Sequence, residues 1–166
     1  MWIRTETQDD HAAIRALLGE AFAESDGKGR IEQRIVDALR EDGELSLCLV
    51  ADIDGRIAGV AVFSPVAIDG AQSWYGLGPV AVAPRDQGHG VGTALIRAGL
   101  AELADRGAAG CVVLGEPAYY ARFGFNNDGE LHYADAPPQY FQSLAFNDDA
   151  PKGEVRYHNS FSAASH

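Results

Sequence analysis

The chain has 166 residues, 46% hydrophobic and 22% charged, enough to bury one good core as a single domain over 1–166. Its formal net charge of −11, from 13 basic and 24 acidic residues, argues against nucleic acid as a partner and favours a neutral or cationic one. No run reaches the roughly 18 apolar residues of a membrane span, and the opening "MWIRTETQDDHAAI" lacks the basic end and apolar core of a signal peptide, so a cytoplasmic protein that makes no use of a membrane is expected.

A short strand is expected over residues 2–5. Thr7 and Asp10, three apart, read as a capping box, after which Ile14, Leu17, Leu18, Ala21 and Phe22 keep helical spacing. The polar, glycine-rich "ESDGKGR" (24–30) reads as a loop. Ile31, Ile35 and Leu39 mark a second helix, with Glu32, Arg34, Asp37 and Arg40 on its other face. "LSLCLVADI" and "RIAGVAVF" flank Asp54-Gly55, a hairpin signal, and Asp69-Gly70 leads towards "WYGLGPVAVAP", which predicts three sequential antiparallel strands. Cys48 and Cys111 each sit in an apolar run with no second cysteine nearby, so buried reduced thiols are expected rather than a disulfide or a metal site.

From Val80 the pattern changes. The strand "PVAVA" meets a glycine-rich turn. Val91, Ala94, Leu95, Ala98 and Leu103 then space as a helix that ends at "RG" before the apolar "CVVL". Strand, helix and strand in this order predict a crossover between two parallel strands of one sheet, with the turn at the carboxyl end of the first. Beyond it, "GEPAYYARFGF" places Glu116 as cap and Pro117 as first residue of a short helix, and "YFQSLAF" and "GEVRYH" read as a final pair of strands.

The turn carries the chemistry. Unpaired N–H groups at a helix start, with the helix dipole behind them, bind phosphate oxygens without a basic side chain. Neither lysine, Lys28 or Lys152, lies in this turn, which excludes a Walker loop, and Thr93 stands where a dinucleotide fingerprint needs its third glycine. What remains is Gln87-Gly88-His89-Gly90-Val91-Gly92, a Q-x-x-G-x-G pattern between strand and helix.

This loop after a V-A-V-x-P strand resembles the acetyl-coenzyme A loop of the GNAT-type N-acetyltransferases, and the element order is similar over nearly the whole chain. "GEPAYYARFGF" and the "PPQYF…GEVRYH" ending resemble the YhbS-like branch of that superfamily. The resemblance implies a mixed α/β (α+β) fold. It would have antiparallel N-terminal strands, a splayed parallel strand pair around a central helix, and a C-terminal strand pair. It also implies acetyl-CoA as co-substrate, no metal, and an amine acceptor on a small molecule or protein, with a homodimer left open. Main-chain groups of Gln87, Gly88, His89, Gly90, Val91, Gly92 and Thr93 would wrap the pyrophosphate. Val80, Ala81 and Val82 would meet the pantetheine amides and supply one donor for the developing oxyanion. Arg85, Arg97 and Arg122 are within reach of a role at the coenzyme phosphates.

An ammonium acceptor must lose a proton before attack, and a departing thiolate leaves better if protonated. By resemblance, the tyrosine four residues before the "GF" of the short helix, Tyr120, is the general acid; Tyr119 faces elsewhere on that helix. No carboxylate lies in "SWYGLGPVAVAP", where several relatives carry a glutamate base. A water chain, Glu116, or an acidic mouth from Glu24 and Asp26 stay open as alternatives. A non-catalytic acyl-coenzyme A sensor is the rival function.

Overall fold

The computed structural model describes residues 1–23, 28–127, 129–148 and 151–164. Strand β1 (Trp2–Thr5) turns at Thr7 into helix α1 (His11–Ala21), whose Ile14, Leu17 and Leu18 are buried. The expected box forms at that turn: the Asp10 carboxylate accepts hydrogen bonds from the Thr7 N–H at 2.7 Å and the Thr7 hydroxyl at 3.3 Å. The Arg4 guanidinium grips the same carboxylate at 2.7 and 3.0 Å, and its hydrogen bonds hold Asp10 well below the usual carboxylate range.

Helix α2 (Lys28–Glu41) begins inside the stretch expected to be a loop. Apolar spacing marks where a helix is anchored, here Ile35, Val36 and Leu39, not where its hydrogen-bond ladder starts. Strands β2 (Leu47–Ile53) and β3 (Arg56–Pro65) form the expected hairpin, with Asp54 and Gly55 at φ 53° and 81° as a two-residue turn. Strand β4 (Ala67–Ile68) precedes β5 (Trp74–Val82), which runs through the glycine loop into α3 (Val91–Asp105) and then β6 (Gly110–Leu114). Helix α4 (Pro117–Tyr120) follows, then β7 (Leu131–His132), β8 (Phe141–Ala145), β9 (Gly153–Arg156) and α5 (Asn159–Ala164).

The main sheet has six strands in the order β1-β2-β3-β5-β6-β8, antiparallel except for the β5–β6 pair. Alternation along β3 serves both faces. Ala61 and Phe63 pack under α3 with Leu95 and Leu103, while Val60 and Val62 pack under α1 and α2 with Leu18 and Leu39. Cys111 lies on the α3 side and Cys48 on the other; both are free, and burial pushes both thiols up.

The two C-terminal strands expected to form a pair do form, but they do not pair with each other. β8 lies beside β6 in the main sheet, whereas β9 joins β4 and β7 in a second, three-stranded sheet. Among the described residues, no helix is long and apolar enough to cross a membrane.

Candidate active site

The parallel pair comes apart partway. β6 pairs with β5 only from Trp74–Gly110 to Leu77–Val113. The next residues of β5, Gly78 and Pro79, form a bulge against β3, and Pro79 has no N–H to offer a ladder. Beyond the bulge β5 keeps β3 as its neighbour, with Val80, Ala81 and Val82 opposite Ala61, Val60 and Gly59. Peptide groups alternate in direction along a strand. The Ala83 N–H donates to the Ala58 carbonyl on β3 at 2.8 Å, so Ala81, two residues back, also turns its groups to β3 and Val80 and Val82 turn theirs to the gap. Ala81 was expected to offer its groups to a ligand; β3 already uses them.

Above the gap stands the glycine loop. Gly88 and Gly90 adopt φ of 80° and 82°, the left-handed region that favours glycine, and Gly90 is the N-cap of α3. The first intrahelical bond runs from the Ala94 N–H to the Gly90 carbonyl at 3.0 Å, which leaves the N–H groups of Gly90, Val91, Gly92 and Thr93 without a helical partner. They face a pocket of about 320 Å³ that Gln87 and Gly88 also line. The Gln87 side chain braces the loop by donating to the Val82 carbonyl at 3.1 Å, and Arg56, from the β2–β3 hairpin, is paired with Asp86 just before it. His89 is exposed and does not line the pocket.

Helix α4 offers two adjacent tyrosines to two different spaces. Tyr119 lines the loop pocket, its hydroxyl 3.4 Å from the Thr93 hydroxyl, with the Arg122 guanidinium 4.4 Å above its ring. Tyr120 turns into a larger cleft of about 480 Å³, walled by Leu77, Gly78, Pro79 and Val80 of β5, Leu114 of β6 and one face of α2. The two rings meet edge to face, 5.0 Å apart, which is the 100° step of a helix made visible. Burial first, then Tyr119 and Cys111, push the Tyr120 phenol up to about 12. Gly115 makes room for this ring: a Cβ there would stand 2.3 Å from Tyr120 Cε2.

The cleft also contains residues that sequence reasoning missed. Glu32 of α2 is its one charged lining residue among those described; its position beside the apolar stripe of Ile31 and Ile35 was the available signal. Tyr157 and Phe161 come from the C-terminal segment, where no helix was expected. His158 anchors that segment, its Nε2 2.7 Å from an Asp42 carboxylate oxygen and its Nδ1 accepting the Ser160 N–H at 3.0 Å. Other expected residues lie elsewhere. Glu116 occupies the N-cap of α4 but is exposed and makes no side-chain cap bond. Arg97 stacks over Phe123, Arg85 is exposed, and Arg122 alone of the three arginines lines the loop pocket. Glu24 and Asp26 lie outside the described residues.

Residues 2–127 match the profile of the acetyltransferase (GNAT) domain. Over 97% of its length the chain is 39% identical to 98% of an Escherichia coli protein named YhbS, an uncharacterized N-acetyltransferase. A crystal structure of that YhbS in complex with CoA is similar at a TM-score of 0.89, covering 97% of this chain and 91% of the other. A GNAT family acetyltransferase from Brucella melitensis, crystallised with acetyl-CoA, shares 48% identity over 96% of this chain and 97% of its own, with a TM-score of 0.84.

Proposed function

The chain belongs to the GNAT acetyltransferase family, and from that premise we propose that, as one domain over 1–166, it moves the acetyl group of acetyl-CoA to a primary amine by direct attack in a ternary complex. The observation that carries this reading is the parting of β5 and β6 below the N-terminus of α3. It leaves unpaired strand groups and unpaired helix N–H groups on one continuous path. That path suits the coenzyme, with peptide-like amides at one stretch and anionic oxygens at the next.

Acetyl-CoA, when bound, supplies an activated thioester. The N–H groups of Gly90, Val91, Gly92 and Thr93 hold the pyrophosphate at the positive end of α3, and Gly88 turns the chain so that they point outwards. Val80 and the N–H of Val82, whose carbonyl already accepts from Gln87, pair with the pantetheine arm as the missing stretch of β6 would, and one of these N–H groups donates a hydrogen bond to the thioester oxygen as it gains negative charge. Tyr120, protonated far above neutral pH, donates its proton to the leaving sulfur. The apolar wall that raises this phenol also disfavours a bare thiolate beside it, so burial acts on both acids in the same direction.

The balance is one ammonium plus one thioester giving one amide, one thiol and one proton. The nitrogen loses two protons: one passes to solvent, and the other replaces, through solvent, the one Tyr120 gives to sulfur. β5 carries no acidic residue to take either, and in this reading both protons are handed to water.

The test is thiol release from acetyl-CoA against a panel of amines, with the product identified by mass. Acetylated amine is the expected result. Tight acetyl-CoA binding with no acetylated amine across the panel would overturn transfer and leave a coenzyme-binding domain.

A further inference from the structure

Gly115 joins β6 to α4, and its backbone is held from the β8 side. Its N–H donates to the Tyr140 carbonyl at 3.0 Å, which carries the β6–β8 ladder one residue past the Leu114–Phe141 pair. The Tyr140 N–H does not return the bond, because the turn at Pro138–Tyr140 gives it to the Pro137 carbonyl at 3.0 Å. The Gly115 carbonyl is thus left without a strand partner, and the Gln142 side chain supplies the donor, its Nε2 3.1 Å away. Gln142 is 2% exposed and stands opposite Val113, whose side chain packs under α3. Burying an amide costs free energy unless it is hydrogen-bonded, so a plain hydrocarbon would fill this strand position at less risk. The bond to Gly115 is what the amide adds.

Gly115 is also the floor under Tyr120. A Cβ on it would stand 2.3 Å from Cε2 and 3.1 Å from Cδ2 of that ring, so the ring rests against the residue type whose backbone is freest to turn. The next peptide leads into the Glu116 N-cap, whose carbonyl accepts the N–H groups of Tyr119 and Tyr120 at 3.1 Å each. A helix of 4 residues has too few bonds of its own to hold an orientation, so the aim of Tyr120 depends on what fixes its entry. We propose that Gln142 is a positioning residue for acetyl transfer: by fixing the Gly115 carbonyl it holds the start of α4 in the orientation that brings the Tyr120 hydroxyl to the leaving sulfur. Gln142 lines neither the cleft nor the loop pocket, so it acts through Tyr120 alone. The inference rests on the transferase reading above and on Tyr120 as its acid. A displacement of about 1 Å at a reacting group can cost about 10²-fold in rate, so a modest tilt of α4 is expected to show in the chemical step.

The experiment is a double-mutant cycle on single-turnover acetyl transfer at saturating acetyl-CoA, with hydroxylamine as a small acceptor beside the amine acetylated fastest in the panel. Gln142→Met keeps the volume and removes the donor. It should lower the rate about tenfold and leave the acetyl-CoA Kd within about twofold of wild type. In the Tyr120→Phe background the same change should cost less than about twofold, because no acid is left to aim. A Gln142→Met enzyme within about threefold of wild type, or a loss of the same size with and without the Tyr120 hydroxyl, would overturn the proposal. A second variant reads the bond itself. Gln142→Glu donates to the Gly115 carbonyl only while its carboxyl is protonated, so its rate relative to wild type should fall as pH rises from about 6 to about 9. A ratio that does not fall would overturn the proposal, and this series decides alone if Gln142→Met fails to fold. Wild-type protein that acetylates neither acceptor would overturn the transferase reading, whereas a full-rate Gln142→Met enzyme beside a slow Tyr120→Phe enzyme would overturn only the positioning role.

Discussion

Tyr120→Phe removes one oxygen and little else. The ring keeps its edge-to-face contacts with Tyr119 at 5.0 Å and Phe125 at 5.9 Å, and no hydrogen bond to its hydroxyl occurs among the described residues, so Tm should stay within a few degrees. With the phenol pushed up to about 12, roughly one molecule in 10⁴ is ionised at pH 8, so the wild-type acid is fully in place under assay conditions. Deleting it should lower kcat by about 10² to 10⁴, equivalent to about 2.7–5.5 kcal/mol of barrier, while the KM for acetyl-CoA holds. The raised phenol also sets a sign: the acid form is lost only as pH rises through about 12, so wild-type kcat should show no fall from tyrosine ionisation below about pH 11. The assay is single-turnover acetyl transfer at saturating acetyl-CoA, which isolates chemistry from product release. Tyr119→Phe is the control. Its hydroxyl faces Thr93 at 3.4 Å in the loop pocket, so the expected change is a rise of about 2- to 10-fold in the KM for acetyl-CoA with kcat intact. A Tyr120→Phe enzyme within about threefold of wild type in single turnover would refute the assignment and leave solvent as the proton source.

Gly90→Val puts a branched side chain at a φ of 82° with nothing within 4 Å of the added Cβ, so its cost is strain of about 1–2 kcal/mol rather than a clash. Acetyl-CoA affinity should fall at least about tenfold by calorimetry, and an unchanged Kd in the folded variant removes the loop from the site. Asp10→Asn gives up the Arg4 and Thr7 bonds and should cost about 1–3 kcal/mol at pH 7 in urea unfolding. Because the folded carboxyl is held low, that stability is present above about pH 4 and is lost as pH falls towards its folded value; a gap between variant and wild type that stays constant down to pH 3 refutes it. Tyr157→Phe removes a screened hydroxyl that has no hydrogen-bond partner among the described residues, so stability should hold or rise by up to about 1 kcal/mol, and a clear loss would reveal a bond to that oxygen.

Much of the scaffold is written in short stretches of chain. The Thr7–Asp10 box, the Asp54-Gly55 turn and the Gly88–Gly90 loop depend on what one to four residues in succession allow the backbone to do, so each is legible wherever it occurs. The divergence of Tyr119 and Tyr120 is equally local, since it follows from helical rise and rotation alone. The family pattern adds order to these pieces but does not say what lines the space between them.

That lining comes from pairings distant in sequence. Ala67 meets Arg156 in the second sheet, and the His158–Asp42 contact holds the segment that brings Phe161 to the cleft. No stretch of a few residues contains either relation. Strand periodicity likewise marks β8 and β9 as strands, yet hydrogen-bonding edges are alike along any strand, and which edge each one joins is decided by how the sheets close. The same is true of Glu32. The sequence reading set it on the polar face of α2, away from the Ile31 and Ile35 stripe, whereas the fold turns it partly buried into the cleft where β5 leaves β6, at the bulge of Gly78 and Pro79. The sequence by itself therefore determined the glycine loop at the start of α3 and the tyrosine pair, because backbone torsion and helical rotation are local. The tertiary structure alone decided that Ala81 is used up by β3 and that Glu32 lines the same cleft as Tyr120, because strand neighbours and cleft walls are assembled from residues far apart in the chain.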